Sequence, residues 1–409
     1  MLSTKKIGFS SLTSLLFSFL ISFAVTTIPS GPASALDAKP VHVGLDAEFG
    51  VIGSTSGRAI EQGIRVAIDE INRAGGVLGG RPLELTTTDN RANPARGIVN
   101  VRKLAGMEDL VAVFGGRFSP VVIETGKVAA AEKLILLAPW SSANGIIDNG
   151  QAPNYAFRLG LYDHIAMPAM FDRATQRGYD KIALMLWNSA WGRSNHQAAE
   201  KYAGTGETAR IVATEWINTG EPSLRQHYQR IRQAGAQAII LVATNPESAI
   251  LLRKMAAMDE ADRLPIISHW GITGGGFFDD VGEEVMSKID LSVIQTFSLF
   301  RAEPHKVEKL LKITDRLFGI ASADRIASPT GFGQAYDLMH ILARAIDLAG
   351  TTDRAKVRDA MEQVRDHDGL VRHFDRPFSP TRHEALEPQD VFFAQFGEGG
   401  IIRPVSQAR

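Results

Sequence analysis

The stretch GRAIEQGIRVAIDEINRAGGVLGGRPLELTTT (residues 57–88) holds one full repeat of the pattern that runs through the chain. Ile60, Ile64, Ala67 and Ile71 recur at helical spacing, so 58–74 predicts an amphipathic helix with one buried face. Gly75-Gly76 follows, a left-handed stop for that helix. Leu83–Thr88 then reads as a strand. GGVLGG (75–80) looks like a phosphate-binding loop only on the surface, because such a loop follows a strand and this one follows a helix.

Working outward, the same alternation continues. Val41–Asp46 reads as a strand before the helix; a helix from Pro94, the strand Val111–Phe114, a helix from Pro120 and the strand Ile135–Ala138 come after it. Past Tyr155–Arg158 the alternation restarts. Strands at 182–187, 211–216, 238–242 and 265–268 are separated by helices at 165–178, 193–203, 224–234 and 246–258. A βαβ series implies a parallel sheet with helices on both faces, so the fold class is α/β with two doubly wound lobes. The strand 291–297, helices near 305–318, 332–348 and 354–364, and a strand-like piece at 390–396 form no third lobe. They are read as elements returned to the first two.

With 409 residues, 44% hydrophobic and 22% charged, the chain has the profile of a globular protein of two ordinary domains. A formal net charge of −1 implies neither nucleic acid nor an anionic membrane as partner. At the N-terminus Lys5 and Lys6 precede an apolar run from Phe9 to Val25 and the small-residue site Ala33-Ser34-Ala35. This predicts a signal peptide, residues 1–35, cleaved after Ala35. A membrane anchor is the competing reading, but serines at 10, 11, 14, 18 and 22 weaken the run. The absence of cysteine excludes disulfides, thiolate metal sites and a lipidated N-terminal cysteine. Export to a bacterial periplasm, with no insertion into the membrane after cleavage, is the simplest expectation.

Several segments together carry a resemblance: residues 57–85, TTDNRANPARGIVNVRKL (87–104), YAFRLGLYDH (155–164) and YDLMHILARAI (336–346). The chain resembles the periplasmic solute-binding proteins of branched-chain amino acid type, the type I receptors of ABC importers. The likeness covers nearly all of the mature chain. It implies two lobes, 41–160 plus 297–366 and 161–296 plus 367–409, joined by three crossovers near 160–163, 293–297 and 369–374. It also implies a monomer that closes on a small-molecule ligand and delivers it to an inner-membrane ABC permease. No cofactor, catalytic residue or metal ligand is expected.

The resemblance maps site residues onto the βα turns. Ser119, in GGRFSP (115–120), matches a serine that meets the ligand carboxylate, and Ser142, in PWSS (139–142), matches a second hydroxyl position. Helix N-termini carry unsatisfied N–H groups and a positive dipole end, which favours an anion there; plain N-capping is the alternative. Arg117 stands where amino-acid receptors have an apolar residue. It can pair with a ligand carboxylate, with a surface acid such as Glu124, or with water. In the second lobe LWNSAWGRS (186–194) offers Asn188 and Trp191, and VATNPES (242–248) offers Thr244. ISHWGITGGG (267–276) places Trp270 where the family has an acid for the ligand ammonium. Glu48 is the candidate replacement for that acid. Four of the five tryptophans (140, 187, 191 and 270) fall in the mapped turns. The expected ligand is therefore a carboxylate with an aromatic or non-standard body, held between Trp140, Trp191 and Trp270.

Other classes are weaker. No G-x-S-x-G, P-loop or H-E-x-x-H motif is present, so an enzyme is not expected. The densest histidine cluster, DHDGLVRHFD (366–375), reads as a solvated loop near a crossover. A branched-chain amino acid or amide receptor of the same fold is one alternative; a periplasmic sensor, or an accessory protein to a periplasmic redox enzyme, is another.

Overall fold

A computed structural model describes residues 39–206 and 209–405. The leader read at residues 1–35 lies outside them. The first sheet is parallel, in the order β2-β1-β3-β4-β5. Its strands are β1 (Val41–Ala47), β2 (Leu83–Asp89), β3 (Leu110–Gly115), β4 (Ile135–Ala138) and β5 (Ala156–Arg158). The second sheet has seven strands, ordered β14-β13-β10-β9-β8-β6-β7. Five of them are parallel: β6 (Lys181–Trp187), β7 (Arg210–Ile217), β8 (Ala238–Val242), β9 (Ile266–Ser268) and β10 (Leu291–Gln295). The central strands LVAVFG, ILLA and AIILV are buried throughout, as strands covered on both faces must be.

Helices α1 (Ser56–Arg73), α2 (Pro94–Ala105), α3 (Ser119–Ala131), α4 (Asp163–Gln176), α5 (Ala190–Ala203), α6 (Arg225–Gln233) and α7 (Asn245–Ala256) connect these strands. Two short helices, α8 (Phe277–Val281) and α9 (Glu283–Met286), follow β9. After β10 come α10 (Pro304–Phe318), α11 (Pro329–Ala349) and α12 (Arg354–Met361), and α11 lies along α1. The two approach tightly at Gly63, where a Cβ would come within 2.2 Å of the Phe332 carbonyl oxygen.

The strand order reverses between β1 and β3 in one sheet and between β6 and β8 in the other. Open α/β sheets bind ligands at such switch points, beyond the carboxyl ends of the strands. Both switch points open toward one inter-lobe cleft.

Three features differ from the sequence expectation. Residues 366–375 are not a solvated loop: β11 (His367–Asp368) and β12 (His373–Phe374) pair antiparallel, and His367 is buried. The fully buried Asp337 carboxylate accepts the Leu370 and Val371 N–H groups, at 2.6 and 2.8 Å, which pins that hairpin to α11. The end of the chain gives two strands instead of one, β13 (Phe392–Phe396) and β14 (Ile402–Pro404), both antiparallel to their neighbours. Periodicity also missed α8 and α9, which are too short to show a helical period.

Candidate functional site

The cleft is built from turns that follow β1, β3, β4, β6, β8 and β9. The turn after β3 explains its own glycines. A Cβ at Gly116 would lie 2.2 Å from Glu48 Oε2, so any larger residue would collide with that carboxylate. Glu48 is buried; it accepts the Ser56 hydroxyl and the Arg117 backbone N–H at 3.2 Å. Arg117 then reaches across the cleft, where its Nη1 donates to the Gly271 carbonyl at 2.8 Å. A Cβ at Gly274 would meet Nη1 at 2.3 Å, so glycine is what lets the guanidinium through.

A small chamber of about 20 Å3 lies at the centre. Arg117, Phe118, Ser119 and Ser142 line it from one lobe. Thr244, Gly271 and the indoles of Trp140, Trp187, Trp191 and Trp270 complete the wall. Outside it opens a larger cleft of about 730 Å3, with apolar walls at Val51, Pro120, Ile123, Ala190 and Pro246. Arg117, Phe118, Trp187 and Thr244 line both spaces and form the neck between them.

The residues singled out from sequence thus fall in three places. Arg117, Ser119, Trp140, Ser142, Trp191, Thr244 and Trp270 line the chamber. Asn188 lines the outer cleft, where its Oδ1 accepts from Arg193 at 3.2 Å. Glu48 lines neither space, because Ser56 and the Arg117 backbone already occupy its carboxylate on the far side of the turn. Nor do three tryptophans form a slot. Trp140 and Trp270 touch directly, with centroids 5.9 Å apart and planes tilted by 57°. A ring held between two others would separate their centroids by roughly 9–14 Å.

Ser119 is the first helical residue of α3, not its cap; its Oγ accepts the Ala143 N–H at 3.3 Å. Ser142 is positioned by Arg158, a fully buried side chain at the end of β5 that donates to the Ser141 and Ala143 carbonyls at 3.0 and 2.9 Å. Across a planar trans peptide, the Ser142 N–H then points away from Arg158. Arg158 is held in turn by a bidentate pair with Glu384. Burial raises the Glu384 pKa, and the guanidinium opposes that shift.

Behind Trp191 and Trp270 stands a pair that the sequence reading missed. His269 and Asp163 are fully buried, with His269 Nε2 3.4 Å from Asp163 Oδ1. His269 Nδ1 accepts the Trp270 N–H at 2.9 Å, so in the neutral ring the proton sits on Nε2, facing Asp163. The imidazole edge meets the Trp191 ring at 4.9 Å. Asp163 is the first residue of α4, and nothing local in the sequence links position 163 to 269.

The electrostatic character of the chamber follows from its donors. Trp140 Nε1, Trp191 Nε1 and Arg117 Nε are buried with no hydrogen-bond partner. No carboxylate lines the chamber, and the Arg117 guanidinium donates to the neutral Gly271 carbonyl. Burial lowers the Arg117 pKa, opposed by the more distant Glu48 and Glu247. Thr244 gives its hydroxyl proton to Glu247 at 2.6 Å, which leaves it an acceptor. Unpaired buried donors each cost about 1–3 kcal/mol. The side chains around the chamber therefore carry unpaired hydrogen-bond donors and no acid. Among the described residues, no group of three or more His, Asp or Glu is placed to hold a metal ion, and no helix is long and apolar enough to cross a membrane.

Comparison with known proteins places this geometry in context. A family model described as periplasmic binding protein matches residues 40–400. The Leu/Ile/Val-binding protein homolog 2 of Brucella abortus is 25% identical over 370 residues, which is 88% of this chain and 92% of that protein. A solute-binding protein of an ABC transporter from Rhodopseudomonas palustris, solved with p-hydroxybenzoic acid, superposes with a TM-score of 0.76 at 16% identity, over 90% of this chain and 96% of the other. A branched-chain amino acid transporter substrate-binding protein from Streptococcus pneumoniae, solved with isoleucine, gives 0.73 at 19% identity, over 90% and 100%. At such identities the two structures establish a shared fold.

Proposed function

From the premise that the chain belongs to the periplasmic binding protein family, as a substrate-binding protein of the ABC-transporter type, we propose that its ligand is an aromatic carboxylate. In this reading Arg117, Ser119 and Ser142 meet the carboxylate, and Trp140 and Trp191 add their indole N–H groups. The observation that carries it is the chamber itself, three unpartnered buried donors with no acid among its walls. The chamber offers no anion to the ammonium group of an α-amino acid, and burying such a charge unpaired is costly; the nearest acids line the outer cleft, at Glu124, Glu247 and Asp280. The neighbour solved with p-hydroxybenzoic acid supports the same ligand class.

The lobes in this reading are 41–160 with 297–366, and 161–296 with the remainder. They close as a clamp, and the closed form is what an inner-membrane permease would receive. The names of the Brucella relatives and the isoleucine-bound neighbour favour a second reading, a branched-chain amino acid receptor. Thermal melting of the mature chain separates the two. Benzoate at a hundredfold excess over its Kd is expected to stabilise the folded chain by about 2.7 kcal/mol, with no shift from leucine or valine. A shift from leucine with none from benzoate would overturn the proposal.

A further inference from the structure

Resting on the reading that the ligand is an aromatic carboxylate, we infer that it binds with its acid at the neck and its ring outside the tryptophan chamber, so that the receptor accepts aryl acids extended opposite the carboxylate and refuses substituents beside it. The argument is one of volume. About 20 Å3 has room for one water-sized group, such as a carboxylate oxygen. A cavity that takes benzene is on the order of 150 Å3. To admit a ring the chamber would have to expand by breaking existing ring contacts, those of Trp140 with Trp270 and of Trp191 and Trp270 with His269.

The outer cleft, at about 730 Å3, has the space that the chamber lacks. Its floor is the aromatic pair Phe118 and Trp187, set edge to face with centroids 6.2 Å apart. Trp187 is fixed by its Nε1, which donates to Thr219 at 2.9 Å. Arg117 stacks over Phe118, with its guanidinium carbon 4.7 Å from the ring centre. A carboxylate at the neck therefore meets Arg117 and the chamber donors while its ring rests on Phe118 and Trp187. Atoms beside the carboxylate would lie in the neck, where four side chains crowd them. Atoms opposite it would lie in open cleft.

Titration calorimetry on the mature chain with benzoate, 2-methylbenzoate and 4-phenylbenzoate tests this. 4-Phenylbenzoate is expected to bind at least as tightly as benzoate, and 2-methylbenzoate at least about tenfold more weakly. Trp187→Ala should weaken 4-phenylbenzoate by about tenfold, the value of one aromatic contact, and Trp187→Phe should restore most of it. Benzoate bound but 4-phenylbenzoate refused would overturn this inference and leave the carboxylate reading standing; so would equal affinities for benzoate and 2-methylbenzoate. If no aryl acid binds, the reading of the ligand fails, and this inference with it.

Discussion

In the proposed reading, Arg117 is the residue on which ligand charge turns. It lies half-buried between the lobes with a neutral carbonyl as its hydrogen-bond acceptor. A half-buried charge with no ionic partner contributes little to stability, and replacing it with an apolar side chain of similar length is expected to be neutral or favourable. Arg117→Met should therefore leave the melting temperature of the free chain unchanged or raised. The same variant should lose aromatic carboxylate affinity by roughly 1.5–3 kcal/mol, the range for hydrogen bonds to charged groups. Calorimetry paired with melting curves reads both, and a large loss of stability with intact affinity would sink the assignment. The turn that carries Arg117 was legible, because Gly-Gly-x-x-Ser-Pro after an apolar run marks a strand end and a helix start. The role of Glu48 was not legible, since its carboxylate is consumed by partners that only the folded turn brings near.

At the scale of elements, two polar clamps hold the site's frame. Arg158→Met should destabilise the protein by about 3–5 kcal/mol, because it leaves Glu384 without its partner and frees the turn that carries Ser142. Denaturant titration measures it. The second clamp joins α1 to α10 and α11. Burial works to raise the Glu70 pKa, but hydrogen bonds from His340, Lys309 and Tyr336 outweigh it and hold the group at about 2, below its usual 4.5. A depressed carboxylate stabilises the fold fully above its unfolded pKa and loses that contribution as pH falls through the folded value. Glu70 should thus contribute stability at neutral pH that disappears between about pH 4.5 and 2. Allowing for partial solvent screening, the loss is about 2 kcal/mol. Urea midpoints measured from pH 7 to 2.5 should flatten in Glu70→Gln; an unchanged acid slope would refute the clamp.

For the whole molecule, the lobes meet through main chain as well as side chains. Thr55 donates to the Gly274 carbonyl at 3.0 Å and Gly276 to the Gly53 carbonyl at 3.3 Å, so Ser54 and Gly275 form a β-bridge across the cleft. A Cβ at Gly275 would lie 2.4 Å from the Gly53 oxygen. Gly275→Ala should hold the lobes apart, lowering affinity for the ligand about tenfold or more and raising the radius of gyration of the ligand-saturated chain. Small-angle scattering checks the second effect, and a normal closed radius would show that the bridge is dispensable. Sequence alone determined the alternation of strand and helix and the two-lobed α/β class, because hydrophobic period and glycine stops act over a few residues; which turns face the cleft was what the family resemblance implied. Only the tertiary structure decided which indoles touch, how little space they leave, and that Phe118 and Trp187 guard the neck. Those depend on the distance between two sheets whose facing turns, such as those carrying Phe118 and Trp187, meet only once both lobes are folded, and no local pattern encodes that distance.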